Sequence, residues 1–294
     1  MGRVLDDRYQ IERKIGAGGM SVVYLASEIS SGDHYAIKVI SPALSCDRKA
    51  MARLRREAKV GMRLAHPNVC HIILLGETPD GLVYVVMPFL RGEILSDRSS
   101  ARGVLPLEEV VRHVRDIAAG LQAAHEQKIV HRDLKPENVM IARSDDGGER
   151  AVVMDFGLAK EHRTEEELQK LTTIGMVLGT PEFMSPEQLR GKPIDGRTDV
   201  YALALMAFEM LTGKLPFAGH TQQEMMIARL RDDPMTLREA RSDLAFSDGV
   251  ERVLAKGLSR AARDRYRSAP DFARELEQAA HGPSGGMLTR LFGP

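Results

Sequence analysis

His131-Arg132-Asp133-Leu134-Lys135-Pro136-Glu137-Asn138, with Asp155-Phe156-Gly157 downstream, decides the reading of this chain. Asp133 is a carboxylate with an ammonium group, Lys135, two residues on; Asn138 and Asp155 add an amide and a second carboxylate. Oxygen donors of this kind suit a hard divalent cation, and a carboxylate near an acceptor hydroxyl suits a general base. Phosphoryl transfer from a nucleotide asks for this set, because it depends mostly on positioning and on neutralising phosphate charge. Every fixed position of H-R-D-L-x-x-x-N is met and D-F-G follows, so coincidence is a poor explanation.

The bulk properties narrow the setting. The chain has 294 residues, enough for one large or two small domains with a real core. Lys and Arg number 41, as do Asp and Glu, and this neutrality argues against nucleic acid as the main partner. The run Arg53-Leu54-Arg55-Arg56 reads as a helix face. The cysteines are Cys46 and Cys70, with no Cys-x-x-Cys, so neither a disulfide framework nor zinc is expected and a reducing cytoplasmic compartment fits. The start, Met1-Gly2-Arg3-Val4-Leu5-Asp6-Asp7, has no apolar signal core, and Asp6 stands where a myristoylation site needs Ser or Thr. The longest unbroken apolar run, Val200 to Phe208, is far short of the roughly 20 residues that span a bilayer, so no membrane span is expected in this chain.

Along the chain the period of the apolar pattern changes. Tyr9 to Ile15 alternates apolar and polar, and Val22 to Ala26 and Tyr35 to Ile40 are β-rich with a turn at Ser31-Gly32-Asp33. A helix is expected over 47–65, and strands over 71–76 and 82–87 around Pro79-Asp80-Gly81. From about residue 90 the pattern is helical: Val110, Val114, Ile117 and Leu121 recur at helical spacing, and 199–212 is apolar all round, as in a helix buried on every side. Segments 221–231, 248–259 and 268–280 also read as helices. Residues 281–294 read as a linker and tail ending in the short apolar piece Met287 to Phe292. A β-rich front and a helical back imply two lobes with a cleft between them, where pockets favour forming.

The catalytic stretch and this order of elements resemble the protein kinases, and within them the bacterial eukaryotic-like serine/threonine kinases, over about residues 8–280. The resemblance implies an α+β, two-lobed fold: a small antiparallel sheet with one key helix over 1–89 and a larger, mainly helical lobe over 90–280. It also implies ATP as the phosphate donor with Mg2+, or Mn2+ in its place, and protein substrates with Ser or Thr acceptors. A monomer or weak homodimer is expected.

On the nucleotide side, Gly16-Ala17-Gly18-Gly19-Met20-Ser21-Val22-Val23 lies between strands, not between a strand and a helix, and lacks a Gly-Lys-Ser/Thr ending. Both the dinucleotide and the Walker readings therefore fail. It resembles the kinase lid, in which glycines let backbone N–H groups approach phosphates, and Ile15 joins the lid by the same resemblance. Lys38 resembles the lysine that holds the α- and β-phosphates, with Glu57 on the next helix as its ion-pair partner. Val23 and Ala36 would pack on the adenine. Met87 would guard the back of the pocket, the Pro88 carbonyl and the Leu90 N–H would bond the ring, and Met140 would form the floor.

On the catalytic side the resemblance makes Asp133 the base and Lys135 a contact to the γ-phosphate, with Asn138 and Asp155 as metal ligands. His131 would be structural, packed under Phe156. Thr180, after Gly179, would close the floor under a Ser or Thr hydroxyl. Glu187 in Ser185-Pro186-Glu187 would pair with Arg265, and Asp199 would brace the catalytic loop. Ser144 to Glu149 reads as a solvated turn, and Gly61 departs from the pattern, since a larger side chain often packs there. Thr172 and Thr173 are candidate phosphosites, with Arg53, Arg132 and Lys160 able to converge on a phosphate. Lys38, Asp133, Asn138 and Asp155 are all present, which argues against a binding-only pseudokinase; the segment 160–187 argues against a small-molecule phosphotransferase.

Overall fold

A computed structural model describes residues 2–18, 21–45, 48–143, 147–156, 181–219 and 221–282, without the side chains at 43, 44, 48–50, 53, 57, 60 and 181. The front of the chain forms a six-stranded sheet of order β1-β2-β3-β4-β6-β5. Its strands are β1 (Val4–Leu5), β2 (Tyr9–Gly18), β3 (Ser21–Glu28), β4 (His34–Ile40), β5 (Leu74–Glu77) and β6 (Val83–Pro88), and each neighbouring pair in that order is antiparallel. Period-2 alternation sorts the side chains onto two faces. Leu5, Tyr9, Ala26, Ile37, Tyr84 and Val86 form a buried cluster on one of them. Because Val23 pairs Lys38, Lys38 pairs Val85 and Ala36 pairs Met87, these residues share the other face.

A short helix, α1 (Pro42–Ser45), precedes α2 (Arg48–Gly61). Met51 and Leu54 of α2 pack on Ile40 and Val83, and Ala58 packs on Ile72 and Val85. The helix therefore lies on the face that carries Lys38. It ends at Gly61, short of the expected residue 65, and the strand expected from residue 71 begins at Leu74. The missing side chain at Gly61 is compensated from outside the helix: a Cβ there would sit 2.8 Å from Ile72 Cδ1.

The back is mainly helical: α3 (Leu95–Arg102), α4 (Leu107–Glu126), α5 (Pro186–Leu189), α6 (Arg197–Thr212), α7 (Gln222–Arg231), α8 (Leu237–Ala240), α9 (Asp248–Gly257) and α10 (Ala269–Ala280). Val110, Val114, Ile117 and Leu121 of α4 are buried, and α6 is buried on nearly every side, as its unbroken apolar sequence demands. Ser and Thr caps start most of the later helices: Thr221, Thr236, Ser247 and Ser268 each accept a backbone N–H.

The helical expectation from residue 90 onward is corrected at one place. Gly92–Ile94 (β7), Val139–Arg143 (β8) and Glu149–Val153 (β9) form a second antiparallel sheet in that order. The strands are short, and Gly92 permits the close approach, for a Cβ there would lie 2.0 Å from the Ile141 carbonyl oxygen. Of the solvated turn expected at Ser144 to Glu149, Gly147, Gly148 and Glu149 are exposed. Residues 144–146 lie outside the described residues, but Glu149 opens β9 and its carboxylate takes a bidentate pair of bonds, 2.8 and 2.7 Å, from the buried Arg98 guanidinium. Arg98 also donates to Glu93 and Glu109. The tail from residue 283 lies outside the described residues.

Candidate active site

The loop that carries His131 to Asn138 runs between α4 and β8 and is held from below by Asp199, in the first turn of α6. Asp199 is fully buried. Its carboxylate accepts the backbone N–H of His131 at 2.8 Å and of Arg132 at 3.0 Å, with His125 Nε2 at 2.7 Å. The helix N-terminus favours its negative charge. These bonds stabilise an unusual backbone: Arg132 has φ +67°, in the left-handed region. His131 Nδ1 accepts the Asp133 N–H at 3.3 Å, so Nε2 carries the proton and donates to the Met154 carbonyl at 2.9 Å. The His131 ring meets Phe156 edge to face, with centroids 4.7 Å apart.

The candidate reacting groups gather above this frame. Lys135 Nζ lies 3.6 Å from Asp133 Oδ2. Asn138 donates through Nδ2 to the Asp133 carbonyl at 2.7 Å, which leaves its Oδ1 as an acceptor. Lys38, from the sheet, donates to Asp155 Oδ1 at 2.8 Å, joining the two halves of the chain. Asp155 has φ +59°. Glu57 lies on α2, but its side chain, and so the expected Lys38–Glu57 pair, falls outside the described residues.

The glycine run is more regular than expected. Gly16, Ala17 and Gly18 remain in β2, and Gly18 pairs Ser21, so Gly19 and Met20 connect the two strands; the last two lie outside the described residues. Ile15 sits at a register shift between Lys14 and Gly16. Met87, Leu90 and Met140 pack in one apolar cluster with Cys70, Ala142, Val152 and Met154. Pro88 ends β6, paired with Tyr35. Burial, with the Asp155 charge adding to it, pushes the Cys70 thiol up to about 12.

Below the loop, Arg265 grips Glu187 through two bonds of 2.7 and 2.8 Å, and Thr198 adds one of 2.8 Å. Arg265 stacks over the Tyr201 ring at 4.6 Å. Gly157, Lys160, Thr172, Thr173 and Thr180, with the roles expected of them, lie outside the described residues, as does the Arg53 side chain.

Several residues in this frame were not singled out from the sequence. Arg229, buried on α7, donates to the carbonyls of Glu182 (2.6 Å) and Met184 (3.1 Å) and stacks over Phe217. Gln188 donates to the Arg132 carbonyl at 2.7 Å. The signal for Gln188 was legible as Ser185-Pro186-Glu187-Gln188, a capping-box pattern, and both reciprocal bonds are present. No local pattern announces Arg229 or His125.

The donor set suits a divalent cation shared with phosphates. The Asn138 and Asp155 oxygens are hard ligands, and Mg2+ is commonly held by one or two protein oxygens plus phosphate and water. Among the described residues no group of three or more His, Cys, Asp or Glu could hold a metal ion, so an all-protein cage is not what they build.

Comparison with known proteins agrees with this geometry. The model of the protein kinase domain matches residues 9–274. The serine/threonine-protein kinase pkn3 of Myxococcus xanthus is 35% identical over 277 residues, covering 94% of this chain and 51% of the relative. PrkC of Bacillus subtilis, also named a serine/threonine-protein kinase, is 34% identical over 279 residues, covering 95% of this chain and 41% of the relative. The chain thus spans about half, or less, of the length of these curated relatives. The crystal structure of the Mycobacterium tuberculosis PknI kinase domain superposes with a TM-score of 0.74 at 30% identity, covering 95% of this chain and 98% of that one. A curled antiparallel sheet on a helical lobe, joined at Lys38 and Asp155 and matched over nearly its whole length, makes this chain a member of the protein kinase family.

Proposed function

We propose that this chain transfers the γ-phosphate of ATP to Ser or Thr hydroxyls of protein substrates. The observation that carries the reading is the 2.8 Å bond from Lys38 to Asp155, beside the Asp133, Lys135 and Asn138 cluster. That bond supplies an amine and a carboxylate, and the Asp133, Lys135 and Asn138 cluster adds a second carboxylate, a second amine and an amide, the groups a triphosphate with a divalent cation requires.

Asp133 accepts the proton of the acceptor hydroxyl as its oxygen attacks the γ-phosphorus, and Lys135 offsets the charge on the transferred group. Lys38 orients the α- and β-phosphates. Asn138 and Asp155 hold Mg2+, with Mn2+ as the alternative, and the bound cation supplies charge neutralisation at the phosphates. Asp199 and His131 do no proton transfer; they fix the loop backbone so that the base meets the hydroxyl. Val23, Ala36, Met87 and Met140 enclose the adenine, and the Pro88 carbonyl and Leu90 N–H read its edge. Lys135 together with Gly179-Thr180 favours an aliphatic hydroxyl over a phenol, and the names of the relatives agree. Thr172 and Thr173 are the proposed autophosphorylation sites.

The test is transfer of ³²P from γ-labelled ATP to a generic protein acceptor, followed by acid hydrolysis. Phosphoserine or phosphothreonine should form, and Asp133→Asn should abolish transfer while retaining nucleotide binding. Label on tyrosine, or undiminished transfer by Asp133→Asn, refutes the assignment.

A further inference from the structure

The peptide that joins Arg132 to Asp133 is held at both ends. Its N–H, on Asp133, donates to His131 Nδ1 at 3.3 Å, and its oxygen, on Arg132, accepts from Gln188 Nε2 at 2.7 Å. Arg132 itself is in the left-handed region at φ +67°, a conformation that persists in a non-glycine residue only when its surroundings over-determine it. Asp199 takes the Arg132 N–H from the other side. The orientation of the Gln188 amide follows from its partners: Oε1 accepts the Ser185 N–H at 3.0 Å and the Ser185 hydroxyl at 3.2 Å, so Nε2 must face the Arg132 carbonyl. The crevice beside this bond, lined by Arg132, Asp133, Phe183, Gln188, Thr198 and Asp199, has no room for a water molecule that could replace the donor.

We propose that Gln188 is a positioning residue for Asp133, through which the segment 181–189 sets the peptide plane that aims the base. The inference rests on Asp133 being the base in the phosphotransfer reading above. Tilting that plane swings the Asp133 carboxylate relative to the acceptor hydroxyl, and a displacement of about 1 Å can cost on the order of a hundredfold in rate. Because Gln188 also serves the α5 cap, its two roles must be separated. Glu at position 188 keeps the cap, since a carboxylate accepts from Ser185 as the amide oxygen does, yet it cannot donate to Arg132. Met at 188 removes donor and cap without adding charge.

The experiment measures ATP-dependent transfer by the full chain for wild type, Q188E and Q188M, with D133N as the blank, together with amide hydrogen exchange of residues 131–138. Both Gln188 variants should lose about 10- to 100-fold in kcat with the KM for ATP little changed, and the Asp133 amide should exchange faster in both. Q188E should still melt cooperatively, a few degrees below wild type because the Arg132 carbonyl loses its donor, which separates the effect from a loss of fold. A wild-type kcat in either variant overturns the proposal, as does a loss confined to Q188E, which would trace to the added charge. Unchanged exchange at Asp133 overturns it independently of activity. If instead the wild type transfers no phosphate, or D133N transfers as well as wild type, the functional reading fails, and the exchange result still decides whether Gln188 holds the loop.

Discussion

Replacing Arg265 with methionine isolates the ion pair that ties residues 181–189 to the helical lobe. The Arg265 side chain is 0% exposed. Its guanidinium donates to both Glu187 oxygens and to the carbonyls of Ser259 (2.7 Å), Arg197 (3.0 Å) and Arg260 (3.1 Å). Methionine fills much of the volume but strands the Glu187 carboxylate with the Thr198 hydroxyl as its remaining side-chain donor. Removing one partner of a buried pair costs about 3–5 kcal/mol, and the abandoned carbonyls press toward the upper end. At about 2–4 °C per kcal/mol for a chain of this size, the melting temperature should fall by roughly 10 °C near neutral pH. The pH dependence identifies the cause. Burial opposes ionisation of Glu187, but the hydrogen bonds and charge of Arg265 outweigh it and hold the carboxyl below its ordinary 4.5. A depressed folded value contributes stability that is present above the unfolded value and lost as pH falls through the folded one. In the variant burial dominates, the folded value rises, and the penalty grows as pH climbs through it. The gap between wild type and variant should therefore be widest near neutrality and narrow on acidification below about 4.5, to the pH-independent cost of the abandoned carbonyls. Urea melts from about pH 4 to 8 would measure it. A gap under about 1 kcal/mol at neutrality, or one that ignores pH, refutes the reasoning.

Other outcomes follow from the same frame. Asp199→Asn keeps the shape but loses an acceptor that serves two backbone N–H groups and His125; stability in urea should drop by about 1–3 kcal/mol, with kcat falling more than the KM for ATP rises. Cys70 is buried with its thiol pushed up to about 12, so mass spectrometry should find it unalkylated by iodoacetamide in the native protein at mildly alkaline pH and alkylated in guanidinium. Removing divalent cations with EDTA should abolish transfer, and added Mg2+ or Mn2+ should restore it. The melting temperature should barely move, since the described residues hold no group of three or more metal-ligating side chains; a large shift on chelation would point to a metal held by the protein alone.

Much of the architecture was legible because it rests on local pattern. Alternation at Tyr9 to Ile15 marked a strand, the unbroken apolar run at Val200 to Phe208 marked a helix buried all round, and both are found. The second sheet was not legible: Gly92–Ile94 is too short to show a period, and its partner Ala142 lies far along the chain. Nor was the partner of Glu149 legible: glycines and acids surround it in sequence, and Arg98, which binds its carboxylate, is 51 residues away.

Legible in the chain alone is the chemistry on offer: a loop with carboxylates, an ammonium group and an amide, a glycine-rich hairpin, and the alternation and helical spacing that set the fold class. These follow from residue type and short spacing, which act before any tertiary contact forms. Which groups meet depends on packing. Lys38 finds Asp155 across 117 residues, and Gln188 finds the Arg132 carbonyl across 56. Hydrogen bonds reach only about 3 Å, and side-chain spacing along the chain says nothing about distances that depend on how a sheet and a helical lobe pack.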